Sequence, residues 1–301
     1  MSADLPPPLD GDLHQLHGRA GRLAYYVQGN GPPVLLVHSI NAAGSAYEMR
    51  PLVERLCKEH RVYAVDLPGF GLSDRSDRDY NIALYATAVE DMLAHIALSE
   101  QQAIRVVSLS LSSEFVARAL NQNQTPSAPF TVDGLVMITP TGFRRGDDKR
   151  TGPEGSSREI RWFSRLLKLG SLGKNAFSLL AKPKTIRYFL KRTWGSDNID
   201  EGLWHYDTLT TQQPGAHFAP VAFLSGKLFS RDCHSLYRSL RLPVLVIHGT
   251  RGDFKDFRGS QWTDSESNWR IEPYPTGALV HFEQPDQVHA EIAAFFESLS
   301  D

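Results

Sequence analysis

Short apolar runs alternate with amphipathic segments along most of the chain. After a predicted hairpin turn at residues 17–21, the runs are LAYYVQ, PVLLVHS, RVYAVDLPG, AIRVVSLS, GLVMITP, PVLVIHG and WRIEPYP. Runs of this length that end in small or polar residues are typical of strands buried on both faces of a sheet. Helical periodicity over residues 47–60, 82–98 and 287–299 separates several of them. The pattern predicts an α/β fold with a mostly parallel, doubly wound sheet.

The alternation stops between Thr141 and about Ser235. This stretch holds helical-looking pieces, among them REIRWFSRLLKLG and KTIRYFLKRTWG. Because it lies between two apolar runs of the core, it is an insertion, and we expect a helical lid over the carboxyl ends of the strands, where α/β proteins place their sites. The predicted organisation is a core of residues 1–143 and 235–301 with an inserted lid of residues 144–234.

Charge is distributed unevenly over a chain that is nearly neutral as a whole. The 301 residues carry a formal net charge of -2, which argues against a general nucleic-acid binder. Residues 144–192 alone hold 14 Lys+Arg and 4 Asp+Glu, a local excess of +10. We therefore predict a strongly basic lid on an acidic core. Three roles of this lid stay open: a cap with a solvated outer face, the mouth of a pocket that favours anions, and contact with an anionic membrane surface.

Cysteine usage and the N-terminus bear on the cellular setting. Cys57 and Cys233 are the only cysteines, with no spacing that suggests a disulfide framework or a zinc site. The first residues lack the positive start and apolar run of a signal peptide, and no apolar stretch approaches the roughly 20 residues that span a bilayer. We expect a soluble, cytoplasmic protein with a loose proline-rich lead-in at residues 5–10.

Candidate chemistry first appears in the stretch SLSLSSEF. It follows an apolar run and precedes a predicted helix, which places Ser110 at a strand-to-helix turn. This arrangement resembles the nucleophile elbow of the α/β-hydrolase superfamily, although Ser108 and Ser112 stand where the family usually has glycine. A set of serines that simply caps the helix is the alternative. VDLPGFGLSDR and LLVHSINAAGS also resemble loops of this family, with Ser39 in a usual glycine slot.

The resemblance implies roles for particular residues. Ser110 would be the nucleophile, and the backbone N–H groups of Ile40 and Leu111 would form the oxyanion hole. The acid would follow the run VLVIHG, at Asp253, with Asp256 as the second choice and a solvated loop aspartate as the plain alternative.

The histidine of the expected triad is missing from its usual place. In YPTGALVHFEQP, Gly277, Glu283 and Pro285 align with the family pattern and put Ala278 in the histidine slot. His281 lies three positions on, and a helical turn there would bring it onto the same face. We therefore predict His281 as the base, with a packed, non-catalytic histidine as the alternative. His38 and His248 also end core strands but occupy positions that usually shape turns.

These residues support two hypotheses from different classes. The first is a serine hydrolase that cleaves an ester or related acyl bond, or a carbon-carbon bond, of a small, largely apolar substrate without a cofactor. The second is a non-catalytic relative that binds a small apolar or anionic ligand under the lid. Peripheral membrane contact through the basic lid is a third possibility for the partners of this chain, and nucleic acid is not expected.

Overall fold

One eight-stranded sheet forms the centre of the molecule. The computed structural model describes residues 5–123, 128–169 and 171–299. Residues 1–4, 124–127, 300 and 301 of the predicted core, and residue 170 of the predicted lid, therefore lie outside the described part. The sheet order is β1-β2-β4-β3-β5-β6-β7-β8, with β1 and β2 antiparallel to their neighbours and the rest parallel. The strands are β1 Asp12–Gly18, β2 Gly21–Gln28, β3 Pro33–Val37, β4 Arg61–Val65, β5 Ile104–Leu109, β6 Val132–Ile138, β7 Val244–Gly249 and β8 Trp269–Tyr274. The predicted α/β-hydrolase fold is confirmed.

Helices cover both faces of the sheet. The helices of the core are α1 Arg50–Leu56, α2 Ile82–Glu100, α3 Ser112–Gln122, the short α10 Val280–Glu283 and α11 Pro285–Glu297. A single 3₁₀ turn, Ala46–Met49, precedes α1. Two clusters of buried apolar side chains lie on the two faces of the sheet. Because both faces are covered, central strands such as β3 and β7 are buried along their whole length.

Helix α2 is long and apolar enough to cross a membrane by length and composition alone. In the fold, however, 56% of its most apolar window is buried. Tyr85, Val89, Met92 and Leu93 have no exposed surface and pack in the cluster that includes sheet residues. An apolar stripe that faces the sheet explains the apolar composition of α2, which is a helix of the core.

The stretch without strands folds into helices between β6 and β7, as the loss of alternation predicted. They are α4 Arg161–Leu167, α5 Leu172–Leu180, α6 Pro183–Trp194, α7 Glu201–Thr211, α8 Phe218–Leu224 and α9 Cys233–Arg238. Helix α9 packs against α3, and Asn121 Nδ2 donates to the Leu236 carbonyl at 2.9 Å. The boundary predicted after residue 234 falls within α9. Below, residues 144–234 are called the insertion.

Candidate functional site

Ser110 sits on a tight strand-to-helix turn between β5 and α3. Its φ angle is +56°, in the left-handed region that residues with a side chain rarely adopt. Its N–H donates to the Ile138 carbonyl at 2.9 Å, so the turn is fixed to the neighbouring strand. Strain of this kind costs on the order of 1–3 kcal/mol and is concentrated at functional sites. The backbone therefore has the geometry of a nucleophile elbow.

The two serines that replace glycine at the elbow are fully buried, and each hydroxyl has a partner. Ser108 Oγ lies 2.9 Å from Ser113 Oγ, and Ser112 Oγ donates to the His38 carbonyl. Glycine is usual at these positions because the strained turn leaves little room for a Cβ. The structure accommodates serine here, because these small hydroxyls find partners within the turn and at the end of β3.

The two predicted oxyanion donors lie on segments that the Ser112–His38 hydrogen bond joins. Leu111 is the residue before α3, where the helix dipole favours negative charge. Within the described residues, neither the Ile40 N–H nor the Leu111 N–H has an acceptor. Two unpaired donors beside a strained serine are suited to an anionic oxygen, so the oxyanion hole stays a prediction that this arrangement favours.

A buried carboxylate holds the loop that carries Ile40. Glu48 accepts from Ser39 N at 2.7 Å, from Ser39 Oγ at 3.0 Å and from Asn41 Nδ2 at 2.7 Å. Three donors compensate the cost of burying the carboxylate. Sequence reasoning missed Glu48, although an acidic residue between the apolar positions Ala46 and Met49 was a visible signal.

Ala278, in the usual histidine slot, is covered by backbone of the insertion. Its N–H donates to the Thr193 carbonyl at 3.0 Å, and its own carbonyl accepts from Thr139 Oγ1 at 2.7 Å. Trp194, the last residue of α6, is 2% exposed and packs in the same cluster as Leu279. The backbone at the end of α6 therefore packs against the loop in which the family pattern predicted a histidine.

Asp253 also contacts the insertion. Its carboxylate pairs with Arg192 at 2.6 Å, and its N–H donates to the Arg192 carbonyl at 3.1 Å. The Asp253 side chain is 41% exposed, and no hydrogen bond joins it to His281 in the part of the chain that is described. Asp256, the second choice, pairs with Arg258 at 2.9 Å. Neither carboxylate orients an imidazole in this arrangement.

His281 lies on a helical turn, as predicted, since α10 spans Val280–Glu283. Its ring nevertheless contacts another partner. His281 Nε2 lies 2.7 Å from the Glu48 carbonyl, which can only accept, so Nε2 carries the proton. Nδ1 is buried and, among the described residues, has no partner, and Ser110 makes no hydrogen bond to the ring. The structure thus does not assemble Ser110, His281 and Asp253 into a relay, and the catalytic roles of His281 and Asp253 stay predictions.

Burial controls the protonation of His281. Loss of solvation lowers the pKa of this fully buried ring to about 4, while the Glu48 carbonyl opposes the shift. The folded state therefore prefers the neutral ring, and its stabilising effect is complete above the unfolded pKa of about 6.5 and is lost as the pH falls toward 4. At neutral pH the ring is uncharged and serves to hold Glu48.

We expect acidification to weaken the fold through this ring. Between pH 7 and pH 5 the free energy of unfolding should fall by about 2 kcal/mol more in the native chain than in His281→Gln. Glutamine can still donate to the Glu48 carbonyl but does not titrate. Urea unfolding at the two pH values checks this, and an equal pH dependence in both proteins would contradict the buried, neutral assignment.

The other histidines that end core strands have structural contacts. His38 Nε2 accepts from Leu67 N at 2.9 Å, and its Nδ1 lies 2.6 Å from the Ser39 carbonyl. His248 stacks on Phe257 with ring centroids 3.7 Å apart. These contacts fit the turn-shaping roles expected from their positions.

The chain belongs to the alpha/beta hydrolase family, whose model matches residues 34–291. This match includes the Ser110 turn, the loop that carries Ile40 and the loop that carries Ala278. Membership of the family supports hydrolysis as the general class of activity, and it leaves the substrate and the catalytic mechanism open.

Similar proteins agree with this assignment. An uncharacterised protein of Mycobacterium tuberculosis is 28% identical over 140 residues, 46% of this chain and 37% of the relative. Haloalkane dehalogenase 2 of the same organism is 34% identical over 104 residues, 33% of this chain and 35% of that protein. The matches thus span only about a third of these relatives. A serine hydrolase involved in carbazole degradation shares the fold with a TM-score of 0.71 at 17% identity, over 95% of this chain and 99% of that one.

Proposed function

We propose that the protein is a serine hydrolase that acts on an ester or related acyl bond of a small, largely apolar substrate, with Ser110 as the nucleophile. The observation that carries this proposal is the strained Ser110 backbone, at φ +56°, beside the unpaired N–H groups of Ile40 and Leu111. A strained serine and two free donors are what acyl transfer needs, and a helix cap alone requires neither.

The chemistry would proceed from the residues as they stand. Ser110 Oγ attacks the carbonyl carbon, the carbonyl oxygen becomes an oxyanion held by the Ile40 and Leu111 N–H groups, and the bond to the leaving group then breaks. Ser110 is partly exposed, so water can accept its proton and pass it to the leaving group, which departs in its protonated form. Because Ala278 cannot act as a base and His281 contacts Glu48, the attacking water of the second step lacks an imidazole.

A second candidate is supported by a specific contact. The Thr193 carbonyl accepts from Ala278 N, the neighbouring Trp194 is buried, and Arg192 pairs with Asp253, so the end of α6 is fixed to both predicted triad positions. A relative that has given up catalysis and only binds an apolar or anionic ligand would tolerate these contacts. This second candidate does not explain why the Ser110 backbone is strained.

Fluorophosphonate labelling tests the proposal. Such probes phosphonylate an activated serine, so we expect one label per folded chain, mapped by mass spectrometry to the peptide that contains Ser110. Ser110→Ala should abolish labelling, whereas Ser265→Ala, which removes an exposed hydroxyl, should leave it unchanged. His281→Gln separates two roles of the histidine, as the base for Ser110 and as the donor to the Glu48 carbonyl. Labelling that survives this change would show that His281 is not required as a base.

The outcomes separate the two candidates. Labelling at Ser110 in the native chain supports the hydrolase. A native chain that is folded by circular dichroism and yet takes no label at Ser110 would reject it and favour the ligand-binding relative.

A further inference from the structure

The outer side of helices α4, α5 and α6 exposes large apolar side chains. Six of them, two from each helix, are between 41% and 70% exposed: Trp162, Leu166, Leu172, Leu179, Tyr188 and Phe189. We call these six residues the apolar face. Isolated exposed apolar side chains are ordinary, but a concentration on neighbouring helices marks an interaction surface.

The pattern on each helix shows that this exposure is one-sided. In α4, Trp162 and Leu166 are four residues apart, and the buried positions are Ser164 and Leu167. In α5, Leu172 and Leu179 are seven residues apart, opposite the buried Gly173 and Phe177. Residues at these spacings share one helix face.

The three helices also lie side by side. Helix α5 packs against both α4 and α6, and α4 and α5 pack against α8 beneath them. Tyr188 and Phe189 of α6 therefore continue the surface that α4 and α5 begin. The six side chains form a surface of three adjacent helices rather than scattered exceptions.

The same segment is basic without exception. Residues 160–192 contain nine Lys or Arg and no Asp or Glu. Four of these cations are exposed on the helices of the apolar face or at their ends and, among the described residues, have no ion-pair partner: Arg161, Arg165, Lys182 and Lys184. A further unpaired cation, Lys174, lies on the other side of α5 and lines a cavity with His217. Large apolar groups interleaved with unpaired cations complement a surface that is apolar inside and anionic outside.

The geometry points to a docking surface for an anionic lipid bilayer on helices α4–α6. Trp162 and the leucines would enter the boundary between headgroups and acyl chains, and the lysines and arginines would contact lipid phosphates. This inference does not depend on the proposed hydrolase activity. A nucleic acid would use the cations but would leave Leu172 and Leu179 without a partner, so the bilayer fits the whole surface better.

Flotation with vesicles tests the inference with the native chain. Binding to vesicles that contain phosphatidylglycerol should be at least tenfold stronger than binding to pure phosphatidylcholine, and high salt should weaken it. Lys182→Gln with Lys184→Gln should reduce the partition coefficient about 25-fold, because each cation near the surface contributes roughly fivefold. Trp162→Ser should reduce it about tenfold.

Matched controls lie elsewhere on the molecule. Leu98 of α2 is 81% exposed, and Lys58 and Lys255 are exposed outside the insertion. Leu98→Ser, and Lys58→Gln with Lys255→Gln, should leave vesicle binding unchanged. All variants change exposed side chains, so circular dichroism should show them folded like the native chain.

Each of three results would overturn the inference. The first is no binding to anionic vesicles at low salt. The second is vesicle binding that is as strong in the Trp162 and lysine variants as in the native chain. The third is self-association, or binding to duplex DNA, that these substitutions weaken while the native chain does not bind vesicles. That result would assign the surface to a second copy of this chain or to nucleic acid.

Discussion

Mixed with excess p-nitrophenyl butyrate, the protein is expected to release about one equivalent of nitrophenolate per chain in a burst and then to turn over slowly. Acylation of Ser110 needs the strained serine and the N–H groups of Ile40 and Leu111, and an activated leaving group needs no proton. Deacylation needs a base that accepts a proton from the attacking water. Ala278, at the position of the expected histidine, has no group that can do so. Loss of the imidazole, which reduces rates by as much as about 10⁴, slows both steps. The nitrophenolate leaving group compensates in acylation and has no counterpart in deacylation, so deacylation should be on the order of 10²-fold or more slower.

Stopped-flow absorbance at the nitrophenolate band measures both phases. Ser110→Ala should lose the burst completely, and Ser265→Ala should retain it. His281→Gln should keep the burst amplitude, because the ring contacts Glu48 rather than Ser110. A linear, rapid release without a burst that disappears in His281→Gln would contradict this account and assign His281 as a working base.

Replacing Gly277 by alanine is expected to lower the free energy of unfolding by about 3 kcal/mol. A methyl group at this position would lie 2.5 Å from the Thr193 carbonyl oxygen and 2.5 Å from Trp194 Cα. Both are backbone atoms that cannot rotate away, so the end of α6 must separate from the Ala278 loop. This contact also carries the hydrogen bond from Ala278 N to Thr193.

Urea unfolding of the variant and of a matched glycine measures the effect. Gly155 lies in the insertion with φ +71° and no atom near its missing Cβ, so Gly155→Ala should cost only about 1 kcal/mol, from backbone conformation. Equal losses in the two variants would show that the α6 end does not pack against the Ala278 loop as tightly as described.

The fold was predictable because its signals are local. Apolar runs bounded by small residues, such as PVLLVHS and PVLVIHG, predicted buried parallel strands. They form β3 and β7, and both strands are buried along their whole length. The 3.6-residue periodicity over residues 82–98 predicted α2. Helices α7 and α8 of the insertion were not predicted. Helix α7 mixes apolar and polar residues without a regular stripe, and α8 is a short apolar run whose seven residues contain no polar position that would mark a helical period.

The site was predictable only in part, because its outcome depends on contacts distant in sequence. Ser110 could be located from the strand-to-helix turn, which is encoded within eight residues. The partner of His281 is Glu48, 233 positions away, and nothing in the chain around His281 specifies it. The pairing of Asp253 with Arg192 likewise crosses from the core to the insertion, and only the folded backbone shows it.

We propose that Ser110 serves as the nucleophile and the Ile40 and Leu111 N–H groups as its oxyanion hole, and that no histidine serves as the base. Intact-mass spectrometry over time, after brief exposure to p-nitrophenyl butyrate, measures whether an acyl-enzyme forms and how long it lasts. We expect one butyryl group per chain, mapped to Ser110, that persists long after the burst ends and is absent in Ser110→Ala. An adduct on another residue, no adduct, or an adduct at Ser110 that is hydrolysed as fast as it forms would overturn this proposal.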